Sequence, residues 1–547
     1  AERAQAAAGG LPEAAPQFAA VEGVANAGVL LALAAMLGEG LLSVAEQIYA
    51  PLKKGFYGLR SILLCLVMLA LLRIQSIEQL SAHSPGELGL LLGLDRVPEV
   101  KTLRRKLDEL GAQQNGALFA AALAERWARD APEELGMLYV DGHVNVYTGR
   151  KHPVPKTLVQ KRRQCLPAAT DTWVHNGASE PLFFVTSPTN AHLLSLLEQQ
   201  VIPKAREQIR QITGESQRLT LVFDREAWSP QSFRRWRDEG VDVITYRKGR
   251  QTPWPQSDYR TDTLARDGSD ISYQLAERSV LIIQKTRRQP AFWMREIRRL
   301  GSRGQQTALL TTRQDLPAAI IADRLFARWR QENFFKYMEA EFNLDQLCTY
   351  DTEAADSERR VPNPERRAID KQLKATKARL GTVLAELRTA QKNPVAADKL
   401  AAQQHAMQTL ETELEGLLEK RQAMPTKVPL HTLHDIERLV HHEIERKTIT
   451  RLLKTLAYRS ESRLARLVEP YFARRDDEIR AFLKSLFRLS GDIIPDHERC
   501  ELHVHLYSPA NHRSQRALAA LCEYLNQQPV RYPGTNLRVI YKTIESH

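Results

Sequence analysis

Cysteine is scarce in this 547-residue chain, and the five that occur (Cys65, Cys165, Cys348, Cys500 and Cys522) are scattered, odd in number and form no Cys-x-x-Cys pair. That pattern excludes a disulfide framework and a cysteine-ligated zinc site, and reads as free thiols in a reducing compartment. Long hydrophobic runs are also missing. The longest, Ile62 to Leu72, is too short to span a bilayer, and no basic-then-apolar signal opens the chain. The expectation is a cytoplasmic protein with no membrane partner, its alanine-rich first twenty residues flexible. No Gly-rich phosphate loop of the Walker type occurs, which sets ATP-driven work aside. His434, His441 and His442, and the alternating Glu501, His503 and His505, lack the compact spacing of a zinc site and read as ordinary surface or core side chains.

What is present begins with charge. The formal net charge is +12 and the pI about 9.4, which points to a polyanionic partner without saying which. A hydrophobic share of 43% beside 26% charged residues is that of a soluble globular protein. The length asks for roughly three to four domains.

The pattern changes along the chain. Residues 21–133 read as almost wholly helical. Within them, Pro85 to Leu110 looks like two short helices joined near Arg96-Val97-Pro98, the second carrying Lys101, Arg104, Arg105 and Lys106. A helix-turn-helix that enters a major groove and a helical pair with a solvated basic face both fit. From Met137 the period becomes two, with strands expected at 137–147, 157–166, 181–187, 219–224 and 242–247 and helices at about 190–212 and 229–239. A strand-rich stretch follows at about 255–314, with alternating segments near 271–275, 279–285 and 307–311. After a polar linker, leucines recur every seven residues at Leu373, Leu380 and Leu387, and Leu400, Met407 and Leu414 repeat the spacing. With Asn393-Pro394 between them, residues 366–424 read as an antiparallel helical hairpin with arms of roughly 35–40 Å. Residues 430–547 are expected to be helical to about Leu489 and to close as a small α+β tail.

Three acidic residues stand in settings that phosphoryl transfer requires. Asp141 lies inside the β-favouring run Met137 to Val144, and Asp224 ends the buried-type strand Leu219 to Phe223. Glu332 lies in a helical stretch, Ile320 to Phe342, opened by Asp315 and Pro317. Two strand carboxylates and one helix carboxylate can converge on two divalent cations, which together promote in-line displacement at phosphorus. Acidic oxygen ligands suit Mg²⁺ or Mn²⁺. Arg328, Glu332, Phe335 and Glu339 would stack on one helix face. Arg328 could then pair with the carboxylate or clamp a phosphate. Glu339 is the competing ligand on that face.

These residues resemble the DDE transposases of bacterial insertion sequences, in the subgroup with a β-strand insertion before the catalytic glutamate. That subgroup's signature is a tyrosine, two residues, an arginine, three residues, a glutamate, six residues and a lysine. Arg328 and Glu332 have the right spacing; Leu325, beside Phe326, stands at the tyrosine position, and Glu339 at the lysine position, with Lys336 one turn earlier. The departures bear on flanking contacts and not on the metal ligands. The resemblance implies a multidomain α/β protein with a ribonuclease-H-like mixed sheet over 134–350. It also implies two Mg²⁺ or Mn²⁺ ions held by Asp141, Asp224 and Glu332, and a bacterial, nucleoid-associated setting.

Two basic clusters flank these carboxylates in sequence. Arg150, Lys151, Lys156, Lys161, Arg162 and Arg163 form the first, and Lys285, Arg287, Arg288, Arg295, Arg298, Arg299 and Arg303 the second. Phosphate neutralisation there would make DNA affinity steeply salt-dependent. Arg225 follows Asp224 directly, and Lys336 follows Glu332 by one turn. In the resembling subgroup an aromatic of the insertion stacks on a flipped base; Trp293 is the candidate and Trp254 the runner-up. The whole reads as an enzyme that cuts terminal inverted repeats in double-stranded DNA and joins them to target DNA. Two copies would hold two ends, and the hairpin and tail would mediate that pairing. A nuclease or domesticated transposase that cleaves without integrating, and a DNA-binding relic without catalysis, are the alternatives.

Overall fold

The computed structural model describes residues 2–146, 156–159, 163–187, 192–214, 218–249, 251–266, 269–283, 290–344, 352–354, 360–392, 397–429, 440–442, 444–472 and 475–545. They fall into two compact units. One comprises Ala1–Thr148, Pro155–Asp351 and His442–His547; the other comprises Gly149–Val154 and Thr352–His441.

The larger unit is built on a ten-stranded sheet. Its strands are β1 (Met137–Val146), β2 (Lys156–Val159), β3 (Gln164–His175), β4 (Pro181–Ser187), β5 (Leu219–Phe223), β6 (Val241–Tyr246), β7 (Arg260–Arg266), β8 (Ser269–Ile283), β9 (Phe292–Leu300) and β10 (Gln306–Thr311). The order is β2-β3-β1-β5-β6-β10-β9-β8-β7, with β4 on the remainder of β3. β1 runs antiparallel to β3 but parallel to β5, and β5 parallel to β6. β10, β9, β8 and β7 then extend the sheet as antiparallel hairpins. β5 is buried at every position, as expected of a short apolar strand with parallel neighbours on both sides.

Helices cover both faces. On one, Val140, Leu221, Phe223 and Val243 share a buried cluster with Phe233 and Trp236 of α1 (Pro230–Asp238). This helix starts sharply because Ser229 accepts from the Ser232 N–H and Pro230 occupies the first turn. On the other, Tyr139, Val222, Ile244, Ile297 and Leu309 form a second cluster with Ala319, Ile321, Ala322 and Leu325 of α2 (Ala318–Phe326). A further helix, α3 (Trp329–Phe342), ends at Asn343, whose φ of 50° gives the left-handed closure common at helix C-termini.

The terminal regions fold as one body, where the sequence pattern suggested two. Val21–Val24 pairs with Gly491–Asp496 in a four-stranded sheet that also contains Glu501–Tyr507 and Arg538–Ile544. Within residues 2–20, Ala14 and Phe18 are buried and Arg3 pairs with Asp95 at 2.5 Å.

The smaller unit is a helical hairpin, α4 (Pro364–Lys392) and α5 (Ala397–Ala423). Its base is closed by Arg360–Pro362 pairing antiparallel with Lys427–Pro429. The larger unit resumes with α6 (Ile444–Val468), which lies among the N-terminal helices, the C-terminal helices and the edge of β4.

Other element expectations also shift. The strand expected at 157–166 is a β2–β3 hairpin, and the segments near 271–275 and 279–285 are one strand, β8. Ile320 to Phe342 is two helices broken at Ala327-Arg328. No single helix among the described residues is long and apolar enough to cross a membrane.

Candidate active site

The site lies on the α2–α3 face of the sheet. Side chains alternate along a strand, so Asp141 shares the face of Tyr139, which packs under α2. Asp224 follows the last residue of β5 and caps a short 3₁₀ turn, accepting from the Arg225 N–H at 2.5 Å. Glu332 stands exposed in the first turn of α3.

The three carboxylates share one electrostatic field. Burial raises the Asp141 carboxyl above the ordinary aspartate range. Arg328 and a bond from the Gly142 N–H oppose that rise, while Asp224 and Glu332 add to it. Arg328 is buried, with a guanidinium nitrogen 3.2 Å from Asp141 Oδ2. The sequence reading missed two neighbours. Tyr246 ends β6, beside the strand that delivers Asp224; its hydroxyl is raised by burial and feels Arg328, Asp224 and Glu332. Glu226, two residues past Asp224, is raised by its partial enclosure and by Asp141 and Asp224. Strand-neighbour position was the available signal for Tyr246.

In kind, this donor set fits a hard divalent cation: neighbouring carboxylates raise Asp141, and a cation would relieve it. Among the described residues, no three His, Cys, Asp or Glu side chains are close enough to grip one ion as they stand. Arg328 supplies the compensating charge at Asp141.

The helix face differs from the expected one. Gln331, Phe334, Phe335, Met338 and Phe342 turn inward, leaving Trp329, Glu332, Asn333 and Lys336 as the exposed stripe. The apolar residues set this phase, and Arg328 lies before the helix and inside the protein. Glu339 is drawn to His143 on β1, with Oε1 3.7 Å from Nδ1, while the His143 ring stacks on Phe335 at 4.7 Å.

A buried brace joins the strand of Asp141 to the helix of Glu332. Gln331 Nε2 donates to the Tyr139 carbonyl at 3.1 Å and lies 2.6 Å from His175 Nδ1. Burial holds His175 neutral, its pKa lowered to about 3. Deeper in, Asp171 on β3 is fully buried. Burial pushes its carboxyl up, but Arg451 and Lys447 of α6 outweigh that and hold it at about 2. Lys447 Nζ is 3.2 Å away, Asn145 Nδ2 is 2.6 Å away, and Arg451 pairs directly. No local motif marked either arrangement.

The expected nucleic-acid contacts divide. Trp293 is 53% exposed on β9, and alternation from Ile297 puts it on the sheet face of Asp141. Trp329, overlooked in the sequence, is 48% exposed one turn before Glu332. Trp254 is buried, with Arg298 at 4.1 Å and Arg278 at 4.8 Å over its ring, and belongs to the core. Arg298 corrects its expectation too: it is buried on Glu296 at 2.6 Å and on the Thr252 carbonyl. Arg299 is exposed over Phe326, and Arg225 is exposed near the Tyr246 ring. Arg163, Lys336 and Arg105 are exposed, while Arg104 pairs with Glu78 at 2.5 Å. Lys106 turns inward to Glu109 and the Lys53 carbonyl. Arg150, Lys151, Lys161, Arg162, Lys285, Arg287, Arg288, Cys348, His434 and the turn at Asn393-Pro394 lie outside the described residues.

A protein-family model described as "Transposase protein" matches residues 1–545. No curated protein matches the chain.

Proposed function

The chain belongs to this family of transposase proteins, matched over residues 1–545, and from that premise we propose that it cuts and joins DNA by DDE chemistry. One observation carries the reading: Asp224 and Glu332, from two other elements, both act electrostatically on the Asp141 carboxyl of β1. The strand order β4-β3-β1-β5-β6, three antiparallel strands followed by two parallel ones, supports a ribonuclease-H-like core with the β7–β10 hairpins as its insertion.

Asp141, Asp224 and Glu332 would hold two Mg²⁺ or Mn²⁺ ions. When bound, such ions stabilise charge on the entering and leaving oxygens of an in-line displacement. The chain's own part is placement. The Gln331 bonds fix α3 to β1, keeping the glutamate helix in register with Asp141. Arg328 neutralises Asp141 from inside the protein. Exposed Lys336, Arg225 and Arg299 line the approach for backbone phosphates, and Trp293 offers a stacking face to an unpaired base. Arg105 and Arg163 are further exposed cations for phosphate contact, with Arg104 sharing its charge with Glu78. The first reaction hydrolyses a phosphodiester at a transposon end, and the freed 3′-hydroxyl attacks a second phosphodiester. Two ends require two copies of the chain.

The test is Mg²⁺-dependent cleavage and strand transfer on duplexes bearing the element's terminal repeats. Wild type is compared with Asp141→Ala, Asp224→Ala and Glu332→Ala. Joining that vanishes in all three variants, a loss on the order of 10³-fold or more, is the expected result. Cleavage without joining would move the reading to a nuclease. Salt-sensitive binding without cleavage in any of the four proteins would leave a DNA-binding relic.

A further inference from the structure

The hairpin unit carries apolar side chains that its own two helices leave partly uncovered. On α4, Ile369, Leu373 and Leu387 are buried, yet Leu384 is 40% exposed. On α5, Met407, Leu410, Leu414, Leu417 and Leu418 are all only half-buried. Two helices cover one flank of each other, and a heptad seam of this length is ordinarily completed by further helices.

Charge says what completes it. Between Pro364 and Lys392, α4 carries eight Lys or Arg and three Asp or Glu, a net of +5. Between Ala397 and Ala423, α5 carries three and five, a net of −2. Lys371, Lys374 and Lys377 of α4 are exposed, as are Glu411, Glu415 and Glu419 of α5. The ion pairs described inside the hairpin, Arg379–Glu413 at 2.9 Å and Arg421–Asp370 at 2.6 Å, use none of these six. A surface that is basic on one helix and acidic on the next is self-complementary: a twofold axis sets each α4 against its partner's α5, and does so twice.

We propose that the α4–α5 hairpin is the self-association surface of this chain, and that its occupant is the same hairpin of a second copy in an antiparallel four-helix bundle. The inference deepens the two-copy requirement of the proposed function by naming where the copies meet. Its argument from burial and charge is separate from the active-site chemistry.

Sedimentation velocity of the full chain at micromolar concentration, without DNA, tests it. The α4 variant carries Lys371→Glu, Lys374→Glu and Lys377→Glu; the α5 variant carries Glu411→Lys, Glu415→Lys and Glu419→Lys. Wild type is expected to be a dimer, each variant alone a monomer, and an equal mixture a heterodimer, since reversed charges on opposite helices match again. Leu384→Glu, a single change at an exposed position, is expected to weaken the dimer at least tenfold while the far-ultraviolet dichroism is unchanged. A monomeric wild type, or variants that remain dimers alone, would overturn the proposal. So would a monomeric wild type whose binding to a random duplex is lost in the α4 variant, which would make α4 a DNA surface instead. A dimer that behaves as expected while strand transfer is absent would sink the transposase chemistry and leave this inference standing.

Discussion

Two long helices, α6 and α4, treat charge in opposite ways. α6 has 25 residues and buries Lys447, Arg451, Lys454, Arg459 and Glu461. α4 has 29 and keeps Arg367, Lys371, Lys374 and Lys377 in solvent. The cause is the number of neighbours. α6 is surrounded by the N-terminal helices, the C-terminal helices and β4, so every face needs a partner. Glu39 takes Arg459 and Arg463; Glu461 takes Arg73 and Tyr337; Asp171 takes Lys447 and Arg451. Among the described residues of its own unit, α4 packs on α5 and leaves those four charges hydrated. A charge dense in sequence is therefore a surface feature or a core fastener according to how many elements meet there, and only the fold decides.

The contrast breaks most clearly at Asp171. Asp171→Ala leaves Arg451 and Lys447 buried without their carboxylate, and breaking one partner out of a buried ionic cluster costs about 3–5 kcal/mol. Urea unfolding near neutral pH is expected to show a loss of that size. A change below about 1 kcal/mol would mean that water reaches the cluster. The sign with pH follows from the lowered carboxyl: its contribution is complete above the unfolded pKa near 4 and is lost as pH falls through about 2.

His175 gives the next largest effect. Its folded pKa is about 3, well below the ordinary imidazole value, because burial disfavours the charged ring. Stability is therefore complete above about pH 6.5 and declines as pH falls, by about 1.4 kcal/mol per unit until about pH 3. At pH 5 the loss is about 2 kcal/mol. Comparing urea midpoints at pH 7 and pH 5 for wild type and His175→Gln checks this, since the variant should lose that share of the acid sensitivity. Equal acid sensitivity in the two proteins would show that the ring titrates freely.

Gln331→Leu should come third. It removes the donor to the Tyr139 carbonyl and the neighbour of His175, and an unmet buried polar group costs about 1–3 kcal/mol. If the brace sets the distance between Asp141 and Glu332, the Mg²⁺ concentration needed for half-maximal cleavage rises while DNA binding is unchanged. A loss of stability with the same Mg²⁺ requirement would reduce Gln331 to a packing role.

What was legible in the sequence follows the same division. The strands that carry Asp141 and lead into Asp224 were readable because an apolar β run is a local signal. The α4–α5 hairpin was readable because its heptads repeat along the chain. The union of the N-terminal and C-terminal regions was not, because the pairing of Val21–Val24 with Gly491–Asp496 spans nearly the whole chain and no local period marks it. The phase of α3 was misjudged for a related reason: counting from Arg328 assumed one continuous helix, while the break at Ala327-Arg328 lets Phe334, Phe335 and Met338 choose the inward face. Arg298 and Lys106 looked like DNA contacts because their buried partners, Glu296 and Glu109, are decided by strand register and helix packing.

The smallest effect sharpens the comparison from the exposed side. Arg379 and Glu413 pair at 2.9 Å across the hairpin, with their side chains 59% and 43% exposed. At that exposure water screens the attraction, and ordering two long side chains offsets much of it, so the pair contributes about 0–0.5 kcal/mol. Arg379→Ala should therefore leave the urea midpoint nearly unchanged at low salt and unchanged at high salt. The outcome also bears on the four-helix bundle. If that bundle forms, an ion pair beside its seam is partly removed from water, and the same substitution costs more in the dimer than in the α4 charge-reversal monomer. A double-mutant cycle on Arg379 and Glu413, run in both backgrounds, measures that difference directly. A coupling near zero in both would place the pair outside the association surface, with the bundle held by its leucines and by the outer Lys and Glu rows.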